Sequence, residues 1–182
     1  MPALAIVKIG HEVLRKKADL IPLDALRDAK FRKFLKDMVQ TMHHAEGVGL
    51  AANQVGVGLQ AIVLECRNSR RYPEAEDIPL QTYLNPRILH ASKEQEEDWE
   101  GCLSIPGYRG LVPRAKKVTF KALTNQGEWI EKTVSGFHAR IIQHEVDHLH
   151  GFFYVDRMPD MKSLCSLEEF NRRFDVSVRD RG

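Results

Sequence analysis

The stretch IIQHEVDHL, residues 141–149, decides the fold because it places two histidines and two acids in an apolar run. On a helix His144 and His148 project from one face, one turn apart. This is the His-Glu-x-x-His pattern, in which two imidazoles bind one divalent metal ion and Glu145 handles a proton of a metal-bound water. The alternative is a chance match on a solvated helix. The apolar neighbours favour burial, and buried histidines and acids need polar partners or a metal. The stretch therefore predicts a buried metal-binding helix.

Length, charge and composition limit the partners. The chain has 182 residues, 43% of them hydrophobic, and a formal net charge of +2. Such a charge gives no reason to expect nucleic acid as a partner. There is no apolar run of about 18 residues, so we expect no membrane span, and the first residues lack the pattern of a signal peptide. The expected location is the cytoplasm, or an organelle if a transit peptide has been removed.

Three cysteines, Cys66, Cys102 and Cys165, form an odd and sparse set. This indicates a reducing compartment, with each thiol free or bound to a metal. A catalytic metal site usually has three protein ligands and an open position, and the helix supplies only two. Cys66 follows a predicted strand and Cys165 lies in a polar tail. Cys102, beside a glycine, is the best remaining donor, although a lone cysteine is more often a small buried hydrophobe.

Hydrophobic periodicity predicts the first half of the fold. A helix is expected over 25–44, with Asp24 as its N-cap and an apolar stripe on the core. Its final His43-His44 pair suits the negative end of the helix dipole, and metal binding there is the weaker alternative. The segment 47–56, GVGLAANQVG, allows a partner to approach the backbone closely or simply makes a tight turn. A strand should follow over 59–65.

The second half is predicted to be mainly strands. Residues 68–79 should form a surface loop, and strands 81–84 and 87–90 should be interrupted at Asn85-Pro86. The segments 118–123 and 128–134 alternate around a turn, which indicates a hairpin. A helix then opens at Ser135-Gly136 and ends at Gly151, before a strand over 152–155. The predicted class is α+β, with mostly antiparallel strands packed around the buried metal-binding helix and a second helix covering them.

Three segments together resemble the motifs of the peptide deformylase family, in order and spacing. They are GVGLAANQ at 47–54, EGCLS at 100–104 and QHEVDH at 143–148. The likeness extends from about Lys8 to Met158. It implies a deformylase-like fold with a single catalytic domain, residues 1–158. The C-terminal tail, residues 159–182, is not covered by the motifs, and Leu167, Phe170 and Phe174 in its charged sequence favour a short helix.

The resemblance also implies a function and a set of roles. The expected reaction is metal-dependent hydrolysis of the N-formyl group from the N-terminal formylmethionine of newly made polypeptides, which releases formate. The substrate would be an N-formylmethionyl peptide, with nascent chains at the ribosome as its source. The metal would be ferrous iron, which zinc, nickel or cobalt can replace. The implied assignments are Cys102, His144 and His148 as metal ligands, Glu145 as general acid/base, Gln54 and the backbone amide of Leu103 as oxyanion donors, and Val48, Gly49 and Gly101 as peptide-cleft residues.

The helical wheel adds a pocket to this site. Phe137, Ile141 and His148 fall within about 60° of His144 at 100° per residue. The metal ligands and an apolar wall therefore share one face, which suits an unbranched methionine side chain. Ordinary core packing is the alternative for Phe137 and Ile141. Asp147 points a quarter-turn away and is expected to pair with Arg114, unless it is solvated.

Two other functions fit parts of the sequence. A zinc endopeptidase of another class would use both helix histidines and a distant third ligand, and would leave Cys102 unligated. A metal-bearing or ribosome-binding module without activity is the second alternative. The presence of both Glu145 and Gln54 favours an enzyme over that module.

Overall fold

The computed structural model describes residues 4–67 and 75–174, which contain eight strands and three α-helices. In chain order they are α1 (Ala29–His44), β1 (Gly49–Ala51), β2 (Ala61–Cys66), β3 (Ile78–Ala91), β4 (Gln95–Cys102), β5 (Ile105–Ala115), β6 (Lys117–Thr124), β7 (Trp129–Ser135), α2 (Gly136–Leu149), β8 (Cys165–Ser166) and α3 (Leu167–Phe174). Residues 68–74 of the predicted loop and 175–182 of the predicted tail lie outside the described residues.

The larger sheet has five antiparallel strands in the order β1-β2-β3-β6-β7. Side chains alternate between its two faces because successive residues of a strand point in opposite directions. On β2, Ala61 and Val63 belong to one hydrophobic cluster, and Ile62 and Leu64 belong to another. The sheet therefore has apolar side chains on both faces and needs a cover on each.

Helix α1 covers one face of this sheet. Its buried residues include Leu35, Met38 and Met42, which are spaced at three and four residues and form one stripe. They pack in the same cluster as Ala61 and Val63 of β2. The opposite side of α1 is polar, so the helix is amphipathic, as its sequence predicts.

Helix α2 covers the other face, and a second sheet lies on its far side. Ile142 and Val146 pack on the five-stranded sheet. The second sheet has the order β4-β5-β8. From α2, Arg140 donates a hydrogen bond to the Val112 carbonyl of β5, and Gln143 bonds the backbone of Ala115 there. The predicted α+β class, with mostly antiparallel strands around a buried helix, is confirmed.

The N-terminal boundary of α1 differs from the sequence prediction. The helix begins at Ala29, and Asp28 caps it by accepting a hydrogen bond from Lys30 N–H at 2.8 Å. Asp24 lies in a separate 3-10 turn, Leu23–Arg27. Both acids are good N-cap residues, and Asp28 lies directly before the apolar periodicity.

Three predictions for the strands and the end of α2 are also corrected. The break at Asn85-Pro86 is absent: β3 is one strand whose register shifts there, and Asn85 has a φ of 51°. Asparagine tolerates that conformation, and its side chain bonds both backbone groups of Ile21. The expected strand over 152–155 is instead a 3-10 turn, Tyr154–Asp156. The cap of α2 is His150, and Gly151 follows it with a φ of 82°.

The hairpin prediction is confirmed, because β6 and β7 pair in continuous register around the predicted turn. The expected short helix in the tail is present as α3. Within residues 4–67 and 75–174, no helix is both long and apolar enough to cross a membrane.

Candidate active site

Helix α2 brings two histidine rings together one turn apart. His144 Nε2 and His148 Nε2 are 3.2 Å from each other, and Cys102 Sγ is 3.2 Å from His148 Nε2. The three donor atoms all lie within 4.8 Å of one another. Ligands bound to one ion at about 2.0–2.3 Å stand roughly 3.3–3.8 Å apart in a tetrahedral arrangement. The three side chains therefore fit a shared divalent metal ion.

Cys102 reaches this position from the end of β4. Leu103 and Ser104 make the tight connection to β5, and Ser104 N–H donates to Cys102 Sγ at 3.4 Å. This contact fixes the position of the sulfur within the turn. Leu103, in this turn, lines the same cleft as Cys102 and His144.

Glu100 fixes the orientation of His144. Its Oε2 lies 2.8 Å from His144 Nδ1, which leaves Nε2 directed at Cys102 and His148. Arg114 and Arg140 both hydrogen bond to this carboxylate, which is 4% exposed. Burial alone raises the pKa of Glu100, but hydrogen bonds from His144 and Arg114 hold it below its ordinary value. A carboxylate on the second ring nitrogen is typical of metal-binding histidines.

His148 lies deeper than His144 and has no exposed surface. Burial lowers its pKa well below the ordinary value, so the ring is neutral, the form that binds metals. Among the described residues its Nδ1 has no hydrogen-bond partner. Asn53 Nδ2 donates to the His148 carbonyl and ties the end of α2 to the 3-10 turn Ala52–Val55.

Glu145 is 4% exposed and its Oε2 has no hydrogen-bond partner among the described residues. Burial raises its pKa to about 7, so the carboxyl exchanges a proton near neutral pH. Gly49 leaves room for it: a Cβ at that position would lie 2.3 Å from Glu145 Oε1. A side chain on Gly49 would displace the carboxylate, which explains the glycine.

Gln54 presents its amide N–H groups to the site. Its Oε1 accepts a hydrogen bond from Ala51 N–H at 2.9 Å, which fixes the orientation of the amide. Its Nε2 lies 3.2 Å from Ser104 Oγ and 3.4 Å from Cys102 Sγ. A buried amide donor held this way is pre-oriented toward any negative charge that develops beside Cys102.

A cleft of about 700 Å³ opens over these groups. Its volume is in the range of ligand-binding sites. The residues assigned to the peptide cleft or to the apolar pocket all line it; they are Val48, Gly49, Gly101, Phe137 and Ile141. The structure thus brings every candidate site residue to one place.

The comparison with family models identifies this arrangement. The model described as polypeptide deformylase matches residues 3–164. The chain belongs to the peptide deformylase family. Peptide deformylase 2 of Pseudomonas putida is 46% identical over 172 residues, covering 94% of this chain and 97% of the relative. Peptide deformylase 1 of Nitrosomonas europaea is 42% identical over 159 residues, covering 87% and 89%.

Solved peptide deformylases have the same fold. The Met-Ala-Ser-bound class I type b enzyme from Acinetobacter baumannii superimposes with a TM-score of 0.84 at 39% identity, covering 86% of this chain and 99% of that one. The Synechococcus elongatus enzyme in complex with actinonin gives 0.79 at 33% identity, covering 98% and 90%. The chain is therefore a hydrolase of this metal-dependent family, and its fold and family support removal of the N-formyl group from nascent peptides. Neither the endopeptidase nor the inactive-module alternative accounts for these matches.

The sequence patterns do not predict the roles of two residues at this site. Glu100 lies in the EGCLS motif without an assigned role, and Arg140 lies outside the three motifs. An arginine among the apolar residues of a buried helix was the available signal, because it needs a buried acid as partner. The predicted Asp147–Arg114 pair is confirmed, and Arg157 joins it. At the end of α1, His43 pairs with Glu65 on the neighbouring strand.

Proposed function

We propose that this chain removes the N-formyl group from the N-terminal formylmethionine of newly made polypeptides and releases formate. The observation that carries the proposal is one cleft in which Glu145 and Gln54 lie beside Cys102, His144 and His148. The cleft thus contains a carboxyl that can exchange a proton, an amide hydrogen-bond donor and three side chains that can bind a metal ion. These groups can transfer a proton, stabilise an oxyanion and activate water in the hydrolysis of a formyl group.

Cys102, His144 and His148 would hold the metal. The donor set joins one soft thiolate to two imidazoles, which suits iron, zinc, nickel or cobalt. We propose ferrous iron as the native ion, as the family resemblance implies, with the others able to replace it. When bound, such an ion lowers the pKa of water toward neutrality.

Glu145 is proposed as the general acid/base. Its pKa of about 7 lets it accept a proton from the attacking water and later donate that proton to the leaving amine. Its carboxylate has no competing hydrogen bond at Oε2 from the described residues, so that oxygen is available for the transfer. Gly49 keeps the space into which the carboxylate extends.

Gln54 Nε2 and the backbone N–H of Leu103 are proposed to stabilise the negative charge that develops on the formyl oxygen. Gln54 is fixed at its other amide atom by Ala51, so it need not reorganise during the reaction. Leu103 lies in the turn between β4 and β5. The Leu103 carbonyl accepts a hydrogen bond from Lys8 Nζ at 2.9 Å, which restrains the turn.

The apolar side of the cleft is proposed to bind the methionine side chain. Phe137 and Ile141 of α2 lie beside the metal-type donors, and Val48 faces the same cleft. The Met-Ala-Ser peptide bound to the Acinetobacter enzyme has the sequence type that deformylation would leave as product. Nascent chains at the ribosome are the proposed source of substrate, and the proposed location is the bacterial cytoplasm or an organelle.

Formate release from formyl-Met-Ala tests the reaction directly. Protein purified without oxygen and loaded with ferrous iron should release formate, and acetyl-Met-Ala should give much less acetate because the acetyl carbon is more hindered to attack by water than the formyl carbon. Samples loaded with nickel or cobalt provide an air-stable check. If none of the three metal forms releases formate, the proposed reaction is wrong.

The metal assignment has a separate test. X-ray absorption of the zinc-loaded protein should show one sulfur scatterer at about 2.3 Å. Cys102→Ala should abolish it, while Cys165→Ala should leave it unchanged. Retention of the sulfur signal in Cys102→Ala would remove Cys102 from the metal.

Gln54→Ala tests the oxyanion role. Loss of one such donor typically lowers kcat by about 10²–10³. We expect the loss in kcat to exceed any rise in KM, because the amide acts on charge that develops in the transition state. A change confined to KM would assign Gln54 to substrate binding instead.

A further inference from the structure

The C-terminal helix α3 lines the same cleft as the metal-type donors, although the predicted catalytic domain ends at residue 158. Leu167, Phe170 and Phe174 of α3 all contribute to the cleft surface. Their spacing of three and four residues places them on one side of the helix. The charged residues Glu168 and Arg172 project from a different side of the helix. The apolar side of α3 therefore faces the space in which substrate would lie.

The main chain holds α3 in place. Strand β8, directly before it, pairs with β5 at Tyr108↔Ser166 and Arg109↔Cys165. Leu111 N–H also donates to Ser163 Oγ at 3.1 Å. These contacts thus anchor the start of α3 to the β4-β5-β8 sheet.

An aromatic cluster joins α3 to the strand that carries Cys102. The Trp99 ring lies 5.1 Å from the Phe170 ring and 5.5 Å from the Phe174 ring, measured between centroids. The Arg109 guanidinium lies 4.7 Å above Phe170. These contacts are of favourable aromatic and cation–π types. Trp99, Phe170 and Phe174 are named here the aromatic wall.

The aromatic wall and Leu167, on the same side of α3, are only partly buried. Leu167 is 37% exposed and Phe174 is 46% exposed, although both are large and apolar. A helix that served only to cover Trp99 would bury its apolar residues more completely. The exposed apolar surface borders the cleft and is continuous with its lining.

The distance along β4 indicates which part of a peptide would meet the wall. Trp99 precedes Cys102 by three residues, or at most about 10 Å at roughly 3.3 Å per strand residue, because the pairing of β4 with β5 shifts register between Glu100 and Cys102. An extended substrate covers the same distance in about three residues. A chain whose formyl group lies at Cys102 would therefore reach the wall with its second or third residue after formylmethionine.

We propose that the aromatic wall is a subsite for an apolar or aromatic side chain located two or three residues after formylmethionine. The inference rests on the proposed function, because it assumes that the formyl group lies beside Cys102. It makes the C-terminal helix part of the substrate site and gives the enzyme a preference among nascent chains.

Turnover of four peptides tests the subsite. They are formyl-Met-Ala, formyl-Met-Ala-Ala-Ala, formyl-Met-Ala-Phe-Ala and formyl-Met-Ala-Ala-Phe. In the wild type at least one phenylalanine peptide should exceed the alanine tetrapeptide in kcat/KM. Phe174→Ala should lower that preference by about three- to ten-fold, the size of an aromatic contact, mainly through KM. Formyl-Met-Ala is too short to reach the wall and should be unaffected.

Two further variants make the result specific. Glu168→Ala, on an exposed position of the same helix, should leave all four rates unchanged. Phe170→Ala should lower the preference as Phe174→Ala does. If Phe170→Ala does not fold, the result for Phe174→Ala is decisive. The Phe174 ring is exposed at the end of α3, so its removal should not disturb the core. Wild-type preference retained in Phe174→Ala would overturn the subsite.

A binding measurement does not depend on turnover. The chain has two tryptophans, so in Trp129→Phe the fluorescence comes from Trp99 alone. Unformylated Met-Ala-Phe-Ala or Met-Ala-Ala-Phe should change that emission, and Met-Ala should not. No response to either tetrapeptide would refute the subsite. Failure of the wild type to release formate from formyl-Met-Ala would instead refute the proposed reaction, so the two failures are distinguishable.

Discussion

Helices α1 and α2 pack on opposite faces of one sheet, yet they are stabilised differently. Of the 16 residues of α1, four are buried, and three of these are apolar. Of the 14 residues of α2, eight are buried, among them Arg140, Glu145 and His148. A helix with one covered face needs only an apolar stripe. A helix covered by two sheets must also supply a partner for each polar group it buries.

Most of those partners come from the β4-β5 hairpin, although Glu145 Oε2 and His148 Nδ1 have no hydrogen-bond partner among the described residues. Glu100 binds both His144 and Arg140, Gln143 bonds the β5 backbone, and Arg114 of β5 binds Asp147. The hairpin and α2 are therefore joined by one network of hydrogen bonds and ion pairs. The candidate active site lies where this network borders the cleft. By this comparison, changes in α2 and its partners should affect chemistry and metal binding, whereas changes in α1 should affect stability alone.

The largest effect is expected at Glu145. Glu145→Gln removes proton transfer without removing a proposed ligand, so kcat should fall by about 10²–10⁴. Metal content, measured by elemental analysis, should match that of the wild type. Near-wild-type turnover in the fully loaded variant would show that another group is the base.

Glu100→Gln should weaken metal binding. The substitution removes the charge that orients His144 and leaves Arg114 and Arg140 without a full counter-charge in a buried position. Loss of such an outer partner typically costs about 10–100-fold in metal affinity, and breaking a buried pair costs about 3–5 kcal/mol of stability. Metal release to a chelator and denaturant unfolding measure the two effects separately.

For a matched comparison, Glu94→Gln removes an acid from an exposed pair with Lys116 near the start of the same hairpin. It should leave the metal affinity unchanged. Equal metal loss in Glu94→Gln and Glu100→Gln would show that the hairpin acts through its general stability and not through the His144 contact.

The same contrast explains what the sequence could predict. The α1 stripe and the β6–β7 hairpin follow from local periodicity, and both are correct in kind. The spacing of His144 and His148 is local, so the sequence predicts that the two histidines share a site. The contact between Glu100 and Arg140 joins residues 40 positions apart, and nothing in either segment alone specifies it.

The errors have one local cause and two long-range causes. A 3-10 turn replaces the predicted strand at 152–155 because Asp156 accepts a hydrogen bond from Phe153 N–H and closes the turn locally. The strand break predicted at Asn85-Pro86 is absent because the Asn85 side chain bonds Ile21, which lies 64 residues away. The roles of α3 residues could not be foreseen either, since their position depends on pairing with β5.

Met38→Ala should destabilise the protein and leave the chemistry intact. Met38 has no exposed surface and packs in the cluster between α1 and the sheet. Truncation of such a side chain costs about 2–5 kcal/mol. Denaturant unfolding should show this loss, while kcat on formyl-Met-Ala, measured well below the transition, should stay within a factor of two. A large fall in kcat of the folded variant would mean that α1 positions the site through the sheet.

The smallest effect is expected at the surface of α1. Lys33 and Asp37 form an ion pair at 2.6 Å one turn apart, but the Lys33 side chain is 55% exposed. The Asp37 side chain is 15% exposed. Helix pairs four residues apart contribute about 0.3–0.5 kcal/mol, and here the lysine precedes the acid, the less favourable order. Alanine is also the better helix former. Lys33→Ala should therefore change the free energy of unfolding by less than about 0.5 kcal/mol.

Lys36→Ala is the control for that variant, because Lys36 is exposed on the same helix and has no ion pair among the described residues. The difference between the two variants isolates the pair from the helix propensity of alanine. That difference should vanish in about 1 M salt, where the screening length is about 3 Å. If Lys33→Ala is instead more than about 1 kcal/mol less stable than Lys36→Ala and salt does not remove the difference, Lys33 contributes to the packing of α1. The polar side chains of α1 would then contribute to packing as those of α2 do. The contrast between a helix stabilised by an apolar stripe and one stabilised also by polar contacts would be wrong.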